Sequence, residues 1–159
     1  MKQKNLSKWL KWILVGLAIC GLAVYGYIIP VLGNNIVRAN PEFAYCYYPW
    51  LFFLLGTALP VFAALICGWI ITSEIACDRS FSNKNAKLLK AISFLAAGDA
   101  LYFFLGNIVF LSLDMNHPGI VLASLFAVFI GAAIAVAAAV LSHLVYKAAQ
   151  IQAENEGTI

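Results

Sequence analysis

The chain has 159 residues, of which 64% are hydrophobic and 11% are charged, and it carries a formal net charge of +3 and a mean hydropathy of +0.90. Soluble domains have about 25% charged residues, and a fold of this length leaves too much surface in water to hide so many apolar side chains. The composition therefore excludes a soluble domain and a disordered chain. The small net charge also argues against direct nucleic-acid binding. An integral membrane protein remains.

Four long stretches without charge follow one another along the chain. They cover residues 12–37, 43–73, 91–113 and 115–146, and Asp99 is the one charged residue within them. A helix needs about 20 apolar residues to cross a hydrocarbon core of ~30 Å, so each stretch is long enough for one crossing and too short for two. Apolar residues occur on all sides instead of alternating, which favours helices over barrel strands.

These stretches predict an all-α, polytopic membrane protein. We expect one domain over residues 1–159, with four transmembrane helices in an antiparallel bundle. The spans are placed near 12–32, 49–71, 91–113 and 118–146, and a loop at 72–90 joins the second span to the third.

Lysine and arginine are distributed unequally between the two ends of the predicted bundle. Only Arg38 lies at the end that contains the connections after spans one and three. The positive-inside rule then predicts that both termini and the 72–90 loop are cytoplasmic. The other nine basic residues all lie at this predicted cytoplasmic end: Lys2, Lys4, Lys8, Lys11, Arg79, Lys84, Lys87, Lys90 and Lys147.

Span four contains a row of small residues at a spacing of four. Small residues let helix backbones approach closely in lipid, where packing drives association. The row is a candidate packing face within the chain, because four helices in one chain already need such contacts, and a homo-oligomer face is the alternative. Its members are Ala123, Ala127, Gly131, Ala135 and Ala139.

Asp99 is the ionisable residue that lies well inside the predicted membrane core. A charged Asp there costs about 2.5–3.5 kcal/mol on insertion scales, so it is either a proton, cation or ligand site, or a protonated structural lock between helices. We propose His143 as its partner, since spans three and four are joined by a short segment and their Cβ atoms lean toward each other in depth. In the alternative, His143 extends to the headgroups and Asp99 stays protonated.

The 72–90 loop concentrates the polar residues of the chain. Ser82 is a suitable N-cap for a helix that begins at Asn83. Three lysines at a spacing of three are candidate contacts for anionic lipid: Lys84, Lys87 and Lys90. A second group of residues in this loop either pairs internally or contacts a protein partner. These residues form a candidate docking loop: Glu74, Asp78, Arg79, Ser80 and Phe81.

Motifs of catalysis are absent from the sequence. It has two histidines, at opposite ends of the predicted bundle, and no zinc-protease, phosphate-loop or serine-hydrolase motif. We therefore expect no catalytic residues, no metal and no cofactor. The leading hypothesis is a non-enzymatic regulatory or interaction protein that acts through the 72–90 loop. The alternative is a small transporter or transporter subunit that uses Asp99, and a membrane enzyme ranks last.

Several segments together resemble a family of small bacterial membrane proteins, catalogued as domain of unknown function 2975. They are SEIACDRSFSNKNA at 73–86, NHP at 116–118, LSHLV at 141–145 and ENEGTI at 154–159. The resemblance implies a four-helix protein of the bacterial cytoplasmic membrane, often encoded beside a small helix-turn-helix regulator, which becomes a candidate cytoplasmic partner. It implies no established activity and no agreed site residues.

Overall fold

The computed structural model describes residues 3–156, and within them it is helical and contains no strand. Four helical stretches are long and apolar enough to cross a membrane, which confirms the predicted all-α membrane architecture. Lys2 of the charge count and the last three residues of the 154–159 motif lie outside the described residues. The helices are α1 (Gln3–Ala23), α2 (Ile29–Ala39), α3 (Tyr47–Ala76), α4 (Asn83–Ser112) and α5 (Pro118–Glu156), with a π-helical segment at Val24–Ile28 and a 3-10 helix at Pro41–Cys46.

The helices are longer than the apolar stretches that predict them. Most of the loop expected at 72–90 is helical, and only residues 77–82 separate α3 from α4. Charged residues end an apolar run, but a helix ends only where its backbone is capped. The loop is therefore a compact turn between two helix ends.

The first crossing changes helix type in its middle. The π-helical segment Val24–Ile28 joins α1 to α2, and the Ile29 amide donates to the Val24 carbonyl. It ends two residues before Pro30, whose ring disturbs the ordinary helical pattern. Beyond the predicted end at residue 32, the Asn34 side chain donates to the Pro30 carbonyl over 3.0 Å. The helix thus continues to Ala39.

The four crossings lie in a row. Among residues 3–156, the backbone of α1 lies close to α3, that of α3 close to α4 and that of α4 close to α5, whereas α1 makes no close backbone approach to α4 or α5, and α3 makes none to α5. Short connections between consecutive helices give antiparallel neighbours. The antiparallel order is therefore as expected, but the helices form an open layer in which α1 and α5 are the two edges.

Aromatic rings join α3 to α4 in the half of the molecule that contains Arg38. The Phe53 ring is buried and lies directly against Gly106, where an added Cβ would overlap it. Trp50 donates to the Met115 carbonyl over 2.8 Å. The rings that surround Phe53 belong to Trp50, Tyr102, Phe103 and Phe110.

Small residues and serines join α4 to α5. A Cβ added at Gly131 would lie 3.0 Å from the Ala100 Cβ. Ser93 donates to the Ala135 carbonyl over 2.8 Å, and Ser142 donates to the Ala86 carbonyl over 2.7 Å. These contacts fix the antiparallel register of the two helices.

The predicted row of five small residues divides between two environments. Gly131 and Ala135 face α4, but Ala123, Ala127 and Ala139 are exposed. Each step of four residues rotates about 40° past a full turn, so a long row at this spacing winds around the helix. Between residues 121 and 142, the contact side of α5 instead alternates steps of three and four, as in a coiled coil. The buried or half-buried residues of this stretch are Val121, Ser124, Val128, Gly131, Ala135, Ala138 and Ser142.

Candidate functional site

The turn between α3 and α4 is held by a Schellman motif, in which two amides bond back to the last helical carbonyls. The Arg79 amide donates to the Glu74 carbonyl over 3.1 Å, and the Asp78 amide donates to the Ile75 carbonyl over 3.2 Å. Asp78 has a φ of 59°, which is the left-handed conformation that this motif requires. The predicted docking residue Asp78 therefore has a structural role in ending α3.

A carboxylate joins the two sides of this turn. Glu74 pairs with the Arg79 guanidinium at 3.0 Å and with the Lys84 ammonium at 2.7 Å. The Glu74 side chain is 12% exposed, whereas the two cations are 63% and 59% exposed. The sequence allows two roles for this cluster, internal pairing or contact with a protein partner. In the structure, Glu74 and Arg79 pair with each other.

A buried amide fixes the start of α4. Asn85 is 1% exposed and its Nδ2 donates to the carbonyls of Arg79 and Ser80, each over 3.0 Å. Its own amide donates to the Ser82 hydroxyl oxygen over 3.2 Å, so the predicted N-cap is confirmed. The backbone of 77–82 is thus held from both helices, and we call these residues the α3–α4 turn.

Phe81 and Asp78 point away from the helices at this turn. Phe81 is 59% exposed, and Asp78 is exposed as well. Trp69 is the ring that we expect at the membrane boundary on α3, because amphipathic rings favour that depth, and the Lys11 ammonium lies 5.1 Å from its ring. The helix continues from Trp69 to Ala76, so the α3–α4 turn lies about 10 Å beyond Trp69.

The three predicted lipid-contact lysines occupy two different sites. Lys84 is engaged by Glu74. Lys87 and Lys90 line a groove between α4 and α5, together with His143. Their common spacing on α4 therefore does not give them a common environment.

The structure does not bring Asp99 and His143 together. Neither side chain has a hydrogen bond or ion pair among the described residues, and Asp99 Oδ1 is buried without a partner. The contact between Ser142 and Ala86 places His143 level with Ala86, about 20 Å along α4 from Asp99.

The reason for this separation lies in the length of α5. The predicted pairing counts the depth of Asp99 from Lys90 and the depth of His143 from Lys147, as if both lysines marked the same membrane boundary. The register of α4 and α5 instead places Lys90 opposite Ala138, so α5 continues well past the boundary before it reaches Lys147. The tilt of the Cα–Cβ bonds toward each helix N-terminus is too small to bridge the separation between Asp99 and His143.

Asp99 lies near a second polar residue of α4. Tyr102 is one helical turn away, and its hydroxyl donates to the Phe53 carbonyl over 3.2 Å. A Cβ added at Gly56 would meet that hydroxyl at 2.6 Å. This register places Asp99 level with Pro60, which lies inside α3.

A hydrogen bond between the π-helical segment and α3 lies at the same depth. The hydroxyls of Tyr25 and Thr57 are 2.9 Å apart, and Thr57 also donates to the Leu54 carbonyl over 2.7 Å. The sequence patterns do not predict this layer of polar groups. The available signal is that Tyr25, Tyr27 and Tyr102 lie inside predicted spans, whereas the other tyrosines and the tryptophans lie near predicted boundaries.

Comparison with known proteins places the chain in a family. A family model described as a protein of unknown function (DUF2975) matches residues 31–159. The chain belongs to the DUF2975 family. It is also 31% identical over 149 residues to the uncharacterized membrane protein YoaS of Bacillus subtilis (strain 168), and the match covers 92% of both chains. No solved structure matches it.

The family match confirms the resemblance drawn from the sequence motifs. Together with the four candidate spans, it describes an integral membrane protein of unknown function. Within residues 3–156, no group of three or more His, Cys, Asp or Glu side chains is arranged to hold a metal ion. The two functional hypotheses drawn from the sequence depend on the α3–α4 turn and on Asp99.

Proposed function

We propose that this DUF2975 protein is a non-enzymatic regulatory or interaction protein that binds a cytoplasmic protein through its α3–α4 turn. The observation that carries the proposal is the exposed Phe81 ring on a turn that is held rigidly about 10 Å beyond the membrane boundary. Aromatic and arginine side chains are the commonest anchors of protein interfaces. A ring at this height is also too far from the hydrocarbon core to be buried in it.

The fixed backbone of the turn supports the same proposal. The Schellman bonds, the Glu74 ion pairs and the Asn85 amide order the turn before any partner binds. A preordered surface loses little conformational entropy on association, which strengthens binding. The partner class suggested by the family resemblance is a small helix-turn-helix regulator.

A crosslinking pulldown from native membranes tests this proposal. Wild type is compared with Phe81→Ala, with Asp78→Ala/Arg79→Ala, and with Phe43→Ala, which removes an exposed ring from the opposite end of the molecule. We expect one cytoplasmic protein to be captured by wild type and Phe43→Ala and lost from both turn variants. Equal capture by all four proteins, or recovery of lipid alone, would contradict the proposal.

A second candidate function is transport of a proton or small cation through Asp99. It is supported by the buried and unpartnered Oδ1 of Asp99 and by the Tyr25–Thr57 hydrogen bond at the same depth. Carboxylates inside membranes are functional-site candidates by default. The π-helical segment is a second such sign, since these segments often occur at functional sites.

Asp99→Asn separates the two functions. If the protein transports, this variant abolishes ion flux into reconstituted vesicles, while Phe81→Ala leaves the flux unchanged. If the protein acts through the α3–α4 turn, Asp99→Asn retains partner capture and Phe81→Ala loses it.

A further inference from the structure

A groove of about 600 Å³ lies between α4 and α5 near the basic end of the molecule. Its polar part is formed by Lys87, Lys90, His143 and Tyr146, and its apolar part by Phe94 and Ala139. Because α5 packs only against α4 among residues 3–156, no other helix covers the groove. It opens to the surroundings of the protein.

The depth of the groove follows from the helix registers. The α3–α4 contacts of Phe53 with Gly106 and of Trp50 with Phe110 run antiparallel, and the same register places Lys90 level with Trp69. Trp69 marks the membrane boundary, so the groove crosses it.

Polar and apolar groups of the groove are separated by this boundary. Lys87 lies one turn outward of Lys90, at headgroup depth, and His143 lies at a similar height on α5. Phe94 lies one turn inward of Lys90, at the depth of the acyl chains, and Ala139 lies on α5 next to Ala138, which is opposite Lys90. Charge therefore lies beside the headgroups and apolar surface beside the hydrocarbon.

The basic residues of the groove have no carboxylate of their own. Among the described residues, the ion pairs are those of Glu74 with Arg79 and Lys84, and none involves Lys87, Lys90 or His143. The Lys90 ammonium lies 5.8 Å from the centre of the Phe94 ring. Two lysines without an anionic partner, above an apolar wall, complement an anion that carries a hydrocarbon chain.

We propose that this groove binds an anionic phospholipid. The lipid phosphate lies between Lys87, Lys90 and His143, and one acyl chain runs along Phe94 and Ala139. Basic pockets between transmembrane helices recognise anionic headgroups in this way. The proposal does not depend on the role of the α3–α4 turn.

Lipid binding to the purified full-length protein in neutral detergent tests the proposal. Affinity is measured by native mass spectrometry for phosphatidylglycerol and for phosphatidylcholine, with inorganic phosphate as competitor. Lys87→Gln/Lys90→Gln is expected to weaken phosphatidylglycerol binding by about 30-fold. Lys84→Gln is the matched control, since it removes an equal type of charge from the same helix outside the groove, and its affinity should equal that of wild type.

A second pair of variants tests the groove without changing charge. Ala139→Phe fills the groove and should weaken binding, whereas Ala137→Phe, at an exposed position of α5 outside it, should not. The proposal is overturned if phosphatidylcholine binds as tightly as phosphatidylglycerol, or if Lys84→Gln loses as much affinity as the double variant. It is also overturned if Ala139→Phe binds normally, or if inorganic phosphate displaces the lipid at equal concentration.

Discussion

Two aspartates end helices by the same backbone arrangement. Asp78 follows α3 with a φ of 59°, and Asp114 follows α4 with a φ of 54°. After α4, the Met115 amide donates to the Phe110 carbonyl over 2.9 Å, and the Asp114 amide donates to the Leu111 carbonyl over 3.3 Å. Glycine is the usual residue at such positions, and aspartate is among the few others that adopt this conformation readily.

Replacement of Asp78 separates its backbone role from its carboxylate. We expect Asp78→Gly to be at least as stable as wild type, because glycine adopts a positive φ without steric cost. Asp78→Ala should be about 1 kcal/mol less stable than Asp78→Gly. Unfolding of the purified protein in mixed micelles measures both, and equal stability of the two variants would contradict a left-handed residue at this position.

Local sequence patterns predict the structural role of one residue of this turn and do not predict that of another. Ser82 was predicted to cap α4, and it does, because serine before a helical stretch is a direct signal. For Asp78 the sequence predicts internal pairing or docking and no backbone role, since an aspartate carries a weaker signal for a left-handed turn than the glycine normally found there. The burial of Asn85 depends on how α4 meets the turn, which no local pattern reveals.

Helix contacts decide which glycines of α4 matter. A Cβ at Gly106 would overlap the Phe53 ring, whereas a Cβ at Gly98 would meet nothing within 4 Å. The two residues lie in the same helix and differ only in what faces them. At Gly98, therefore, helix propensity acts alone, whereas at Gly106 the packing of Phe53 opposes it.

Alanine substitutions at the two glycines should have opposite signs. Gly98→Ala should stabilise the protein by about 0.5–1 kcal/mol, because alanine loses less entropy in a helix. Gly106→Ala should destabilise it by about 1–3 kcal/mol through overpacking against Phe53. Thermal unfolding in detergent tests both, and two changes of the same sign would contradict the packing of α3 on α4.

Leucine substitutions on α5 test the division of the small-residue row. Gly131→Leu should destabilise the protein by about 1–3 kcal/mol, since Gly131 faces Ala100 closely. Ala127→Leu lies one turn away on the exposed side, so its effect should be within about 0.5 kcal/mol. Equal destabilisation by both variants, measured by thermal unfolding, would show that the row acts as one packing face.

The sequence predicts the crossings well and their relative heights poorly. Apolar length identifies each span, because the hydrocarbon thickness sets how many apolar residues are needed. The heights of α4 and α5 depend on particular contacts, such as Ser93 with Ala135, that no periodicity contains. For that reason the sequence predicts a pairing of Asp99 with His143 that the structure does not contain, and it gives no sign of the groove beside His143.

The whole molecule is an open row of helices with two free edges. Phe126 and Phe129 of α5 are 77% and 74% exposed, and Trp12 of α1 is 73% exposed. In a membrane these side chains lie against lipid, so their exposure carries no cost. The row also leaves the α3–α4 turn uncovered at the basic end, which is the surface on which the proposed function depends.

The side of the membrane on which this turn lies is the most direct test of that account. Cys77 is an exposed native probe in the α3–α4 turn, and it is retained while Cys20, Cys46 and Cys67 are replaced by Ser. In a second variant all four cysteines are replaced and Asn40→Cys places a probe between α2 and the 3-10 helix, at the opposite end. The positive-inside rule predicts that a membrane-impermeant maleimide labels position 40 in intact cells, and labels Cys77 only after the membrane is permeabilised. Labelling of Cys77 in intact cells, or its protection after permeabilisation, would contradict a cytoplasmic docking turn.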